Sequence, residues 1–238
     1  MATDDIAALG TGQISHLSTA AIAALTTAQT KALTTASINA LTSAQVTAIE
    51  TADLAAMSTA QLSKLGTAQV AQLTSVQVAA LTSGQVKSLN SDQVAALTSA
   101  QLSALTSSQL PSLSTAQVRA LTTDQLSKLT TTQIVGLSTA QVAALSTGQV
   151  AALTSVQINA LASDDLKALT TTQVRALTSD QLSKLSSDQI ALMATDDIAA
   201  LGTGQISHLS TSAIAALTTD QISALNTATI DAMTSAQV

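Results

Sequence analysis

The chain is constrained above all by a period of eight. With octads numbered from Met1, position 1 is Leu, Ile or Met in all thirty copies, from Met1 and Leu9 to Leu225 and Met233. Position 6 is Val, Ile or Leu in every copy except the one that holds Thr30. Position 5 is Gln or Asp in 26 copies, and position 2 is Ser, Thr or Asn in 23. The consensus is Leu-Thr-Thr-Ala-Gln-Val-Ala-Ala, and no insertion or deletion interrupts it. A fixed short period marks an architecture whose single unit cannot bury its apolar face alone. A longer period lies above it. Residues 193–238 repeat residues 1–46 with eight substitutions, an offset of 192 residues or 24 octads. Residues 1–238 are therefore expected to form a single continuous octad array, with residues 193–238 restarting the higher-order repeat.

Three features make each octad a short helix. Thr or Ser at position 2 with Gln three residues later is the capping-box pattern, as in Thr122–Gln125, Ser138–Gln141 and Thr178–Gln181. The hydroxyl takes one orphan backbone N–H, and the glutamine reaches back to the N–H of the cap. Twelve of the fourteen acids sit at positions 4 or 5, while all eight Lys and Arg and both histidines, His16 and His208, sit at positions 7 or 8. That polarity complements a helix dipole, and a β-solenoid coil gives no reason for it. Third, at 100° per residue positions 6 and 9 share one face while positions 4, 7 and 8 lie opposite.

A single long helix is excluded. Eight residues advance about 800°, so an apolar stripe would drift by about 80° per octad and circle the helix within five copies. The chain must break at each Leu-Thr junction, leaving helices of about six residues. Isolated helices that short are marginal in water, so neighbouring octads must stabilise each other. The expected fold is all-α, a solenoid or superhelix of about thirty short capped helices, one per octad. Two, three or four helices per superhelical turn all fit the pattern. The alternative is a β-solenoid of short Thr/Val strands. In the seven octads with Ala, Gly or Glu at position 2, position 3 is Ser or Thr (Thr3, Thr11, Thr51, Thr67, Ser163, Thr195 and Thr203), so the cap could slip there by one residue. Pro111 at position 7 and Thr30 at position 6 mark the weakest copies.

Composition narrows function by exclusion. There is no aromatic residue and no cysteine, and only 9% of residues are charged. The core must be thin and aliphatic. A net charge of −6, with eight scattered basic residues, leaves no electrostatic footprint for nucleic acid. No apolar run reaches the length of a membrane span. The segment Met1–Leu9 carries acids where a signal peptide carries positive charge.

Candidate chemistry is sparse. The pairs Asp4–Asp5, Asp164–Asp165 and Asp196–Asp197 could ligate calcium, but no oxygen-rich loop accompanies them, and they read as helix N-terminal acids. His16 and His208 are the same position of the 192-residue repeat and read as surface residues near helix C-termini. Gly10 and Gly12, with Gly202 and Gly204, lack the Lys-Ser/Thr that completes a phosphate loop. A serine nucleophile needs a base within hydrogen-bond reach, and neither of the two histidines has a distinguishing neighbourhood. The expectation is a protein that is not an enzyme, with no catalytic residue, no metal site and no cofactor.

The octads, idealised as Ala-Leu-Thr-Thr-Ala-Gln-Val-Ala-Ala-Leu, resemble the octapeptide-repeat arrays of large repetitive bacterial surface or secreted proteins. That resemblance implies an extracellular or cell-surface structural or adhesive role, with export that does not use a cleaved N-terminal signal. A narrower likeness is to the first helix of TAL-effector repeats, which also opens Leu-Thr-x-x-Gln-Val. It covers only the cap, as in Leu121–Leu126 and Leu177–Leu182, without the DNA-reading loop or the 34-residue period. The leading expectation is a rod, spacer or filament-forming segment that self-associates end to end or laterally. Two alternatives stand beside it. One is a binding module whose Thr/Ser rows or Ala-rich face meet a protein, a glycan or ice; the other is a designed repeat protein.

Overall fold

The computed structural model describes residues 2–238. It is all-helical, with twenty-eight α-helices and one short 3-10 helix among the described residues, and no strand. The β-solenoid alternative is thereby set aside. By its internal contacts the chain divides into two compact units, residues 1–121 and 122–238.

In the octads that form an α-helix, it runs from position 3 to position 6, 7 or 8, and the chain is extended at the position-1 and position-2 residues between helices. Thr35–Ala40 illustrates the pattern. Its cap Thr34 has φ −70° and ψ 158°, and Leu41, which ends it, has φ −61° and ψ 137°. Two extended residues are enough to turn the chain, so no residue needs a positive φ, and among the described residues none has one. Hydroxyl caps form where expected: Thr74, Thr82, Ser114 and Thr122 each accept from the backbone N–H three residues on. The one-residue slip of the cap that the seven hydroxyl-less octads allow does not occur. Helices begin at Thr3, Thr11, Thr51, Thr67, Ser163, Thr195 and Thr203, so these residues are N1, and the caps remain Ala2, Gly10, Glu50, Gly66, Ala162, Ala194 and Gly202. Keeping the phase of the Leu and Val pair in the core outweighs the loss of one hydroxyl cap, which is worth about 1 kcal/mol.

The weak copies resolve differently. The Thr30 octad forms a full six-residue helix, Thr27–Ala32, with Thr30 buried. The Pro111 octad does not form an α-helix. Pro111 lacks an N–H, and the segment tightens to a 3-10 turn, Leu110–Ser112.

Within each unit, helices pack on the third helix along the chain. In the first unit Thr3–Ala7, Thr27–Ala32, Thr51–Ala56, Ser75–Ala80 and Ser99–Ser103 stack in one column. In the second, Thr131–Val135, Ser155–Ala160, Ser179–Lys184, Thr203–Ile206 and Thr227–Asp231 do the same. Inside each unit this is a solenoid. The core is the thin aliphatic spine expected of positions 1 and 6, for example Val78 with Leu81 in the first unit and Val150 with Leu153 in the second.

Candidate functional site

The feature that recurs through both units is a ladder of buried glutamines at position 5. Gln77 is typical. Its Oε1 accepts from the Thr74 N–H at 2.8 Å, and its own backbone N–H donates to Thr74 Oγ1 at 3.1 Å. That much is the capping box. Its Nε2 then donates across the core to carbonyls one superhelical turn earlier, Val46 at 3.1 Å and Ile49 at 2.9 Å. These acceptors are 31 and 28 residues back, one in the last turn of the earlier helix, where the Val46 carbonyl also takes the Ile49 N–H at 3.2 Å, and one in the extended junction that follows it. One side chain therefore closes the start of its own helix and the end of another.

The same pair of bonds recurs at Gln85 to Leu54 and Met57, and at Gln93 to Leu62 and Leu65. In the second unit it recurs at Gln157 to Leu126 and Leu129, Gln181 to Val150 and Leu153, and Gln221 to Ile190 and Met193. Gln109 keeps its bond to the Val78 carbonyl even in the Pro111 octad. Rungs that reach back 28 and 31 residues, in a stack where each helix meets the third one along, set the superhelical turn between three and four octads. Of the helix numbers open in the sequence, two is ruled out.

The ladder was not read from the sequence, where Gln was assigned only to capping. A signal existed. Gln13, Gln69 and Gln205 are present although their caps Gly10, Gly66 and Gly202 have no side chain to share a box with.

Aspartate takes the rung in four octads, and in all four the cap is Ala or Glu: Ala2/Asp5, Glu50/Asp53, Ala162/Asp165 and Ala194/Asp197. An acid in the first turn offsets a missing hydroxyl cap by its charge. Asp5 also accepts from the Ala2 N–H at 2.7 Å. A carboxylate cannot donate to carbonyls, and these side chains bond elsewhere: Asp53 accepts from Thr27 Oγ1 at 2.6 Å and Asp165 from Thr139 Oγ1 at 3.0 Å. Burial, and next the Asp196 carboxylate, push the Asp197 carboxyl above its ordinary value.

The other candidates scatter. Asp4, Asp164 and Asp196 are exposed, while Asp165 and Asp197 are buried. Lys167 Nζ lies 3.7 Å from Asp164. Among the described residues no group of three or more acids or histidines converges as a metal site would. His16 donates from Nδ1 to the Gly12 carbonyl at 2.7 Å, near the end of its helix. Gly10 donates its N–H to Gln13 Oε1 and so serves as a cap. The second unit holds an open groove of about 460 Å³ lined by Arg175, Gly202, Gln205 and Asn226 among others. Arg175 Nε there donates to the Ala200 carbonyl at 3.2 Å.

These features define a class: an all-helical array of capped octads, tied turn to turn within each unit by buried glutamine. The chain belongs to the ALTTAQ repeat family, whose pattern matches residues 1–35, 46–83, 78–107, 99–131, 126–155, 158–195 and 190–227. No curated protein matches it.

Proposed function

We propose that this array is a structural segment, a rod or spacer of a bacterial extracellular or surface protein, whose useful property is set by the number of octads. The observation that carries the reading is the use to which the polar side chains are put. Glutamines and cap hydroxyls are spent on holding turns together, as at Gln77 and Thr74. Positions 4, 7 and 8, which face away from the core, vary among small, charged and polar residues, with a few aliphatic ones such as Val76, Val135, Val156 and Leu192. A binding module built on rows of cap hydroxyls would need those hydroxyls free, and at the caps they accept from the helix backbone. The one histidine seen beside a hydroxyl, His16 with Nδ1 3.3 Å from Ser15 Oγ, gives that nitrogen's proton to the Gly12 carbonyl at 2.7 Å and so offers no base there, which speaks against a catalytic role.

The location is tested by protease treatment of intact cells that express the parent protein. Loss of the array with the cytosolic contents intact supports the surface assignment, and full protection overturns it. The structural role is tested by shortening the array in whole octads. Its reach should fall in proportion to the residues removed, and loss of function on changing one exposed side chain, with length kept, overturns the spacer reading.

A further inference from the structure

A glutamine rung ends in a cluster of three carbonyls. Gln77 Nε2 lies 3.1, 3.1 and 2.9 Å from the carbonyl oxygens of Val46, Thr47 and Ile49. Gln85 Nε2 lies 3.0, 3.1 and 2.9 Å from those of Leu54, Ala55 and Met57. Three of the four aspartate rungs face the same kind of cluster without an amide. Asp53 stands at the rung spacings from Ile22, Ala23 and Leu25, Asp165 from Ile134, Val135 and Leu137, and Asp197 from Leu166, Lys167 and Leu169. The acceptor backbone keeps its shape. Ala168, which ends the helix Ser163–Lys167, has φ −81° and ψ −11°, against −81° and −9° for Ala48 beneath Gln77. Among the described residues no side-chain donor reaches these carbonyls. The carboxylates are aimed at them. Asp53 and Asp165 take Thr27 Oγ1 and Thr139 Oγ1, each two residues beyond the last carbonyl of its cluster. Asp197 is only 5% exposed, and among the described residues no hydrogen bond reaches its carboxylate. Lys167 does not neutralise it, since its Nζ lies 3.7 Å from Asp164.

We propose that each of these three clusters, together with its aspartate, binds a monovalent cation of potassium or ammonium size, which joins the turns where the glutamine amide is replaced. Electrostatics calls for a positive partner. Three carbonyl oxygens and a carboxylate bring only negative charge to one place, and a buried charge without a partner is costly. Burial already pushes the Asp197 carboxyl above its ordinary value. A cation relieves both, because carbonyl oxygens can stand in for its hydration shell. Charge and size then select the class. One carboxylate balances one positive charge. Calcium draws about six to eight oxygens to about 2.3–2.6 Å, and magnesium needs about 2.0–2.1 Å. The carbonyls around Gln77 are instead set at 2.9–3.1 Å from a nitrogen. The cation concerns how turns are joined, and an array without it can still be a spacer, so this inference and the proposed function fail separately.

The test is equilibrium dialysis of the full chain against rubidium chloride, a potassium-like probe, with choline chloride holding the ionic strength at about 0.15 M. The expected result is saturable retention of one ion for each of Asp53, Asp165 and Asp197. The combined variant Asp53→Gln, Asp165→Gln and Asp197→Gln should retain none, and it carries at each site the residue most octads already have. Gln157→Asp should add one ion, because its amide now meets the Leu126 and Leu129 carbonyls and Thr131 lies 26 residues back. Circular dichroism checks that both variants keep the helical spectrum of the parent. The denaturation midpoint of the parent should rise with potassium chloride at fixed ionic strength, as binding to the folded state alone requires. The combined variant should give the same midpoint in potassium and in choline. A parent chain that retains no rubidium overturns the proposal, and so does retention that survives the combined substitution. Calcium that displaces rubidium at equal concentration overturns the assignment to a monovalent ion.

Discussion

Gln77 offers the simplest test at the residue scale. Gln77→Leu keeps the volume but removes the acceptor for the Thr74 N–H and the donor to the Val46 and Ile49 carbonyls. An unsatisfied buried polar group costs about 1–3 kcal/mol, so the loss expected in a urea titration is about 2–4 kcal/mol. A loss under about 1 kcal/mol would show that water or relaxation replaces the bonds. Asp197 makes the opposite case. Its carboxyl is held above its ordinary value, first by burial and then by Asp196. The folded chain therefore binds that proton more tightly than the unfolded one. The associated stability is fully present below the unfolded pKa, about 4, and is lost as pH rises through the folded pKa. Asp197→Gln removes the charge and places an amide at the rung spacing from the Leu166 and Leu169 carbonyls. The variant should exceed the parent in denaturation midpoint at pH 7, with the gap narrowing in acid below the unfolded pKa. A gap of equal size at both pH values would mean that protonation of Asp197 plays no part.

At the scale of the element, the cap decides how well a six-residue helix starts. Thr82 accepts from the Gln85 N–H at 3.2 Å while Gln85 Oε1 takes the Thr82 N–H at 2.8 Å. Thr82→Ala should cost about 1 kcal/mol and Thr82→Gly only a few tenths, because glycine leaves the orphan N–H groups open to water. Chemical denaturation of the two variants ranks them, and alanine above glycine would refute this account of the cap. Much of the element was legible in advance. The break at each Leu-Thr junction, the capping glutamine, the acids at N2 and N3 and the cations in the last turn all follow from local chemistry written in eight residues. The partner of each helix was not legible, and the reason is symmetry. A sequence that repeats every eight residues looks the same from every octad, so it does not say which earlier octad a glutamine meets. That choice is made by the curvature of helices joined by two extended residues, with Leu41, Thr42 and their equivalents setting the angle. The Asp–Thr pairs, Thr27 with Asp53 and Thr139 with Asp165, break the symmetry at 26 residues, but a spacing seen at two pairs in thirty octads is too sparse to read beforehand.

For the whole molecule, the same symmetry predicts which changes in length the fold accepts. The rungs reach back 28 and 31 residues, from position 5 to position 1 and to position 6. Removing residues 177–184 takes out one complete octad, Leu177–Lys184. Every later glutamine then still finds a position-1 and a position-6 carbonyl at the two rung spacings, and every core position still meets a core position. Removing residues 177–180 instead shifts the phase by half an octad. For about one superhelical turn beyond the cut, each glutamine would aim at positions 5 and 2, and aliphatic residues would face cap residues. Those turns lose both the ladder and the spine. Repeat arrays are stabilised by nearest-neighbour terms, so the damage should stay local to that turn while remaining large. The eight-residue deletion should unfold cooperatively, close to the parent in denaturant midpoint. The four-residue deletion should lose several kcal/mol and show an early transition in the second unit, visible as fast hydrogen exchange over the turn after residue 180. Equal tolerance of the two deletions would mean that the turns are not held in register by position 5, and that the aliphatic spine alone sustains the array.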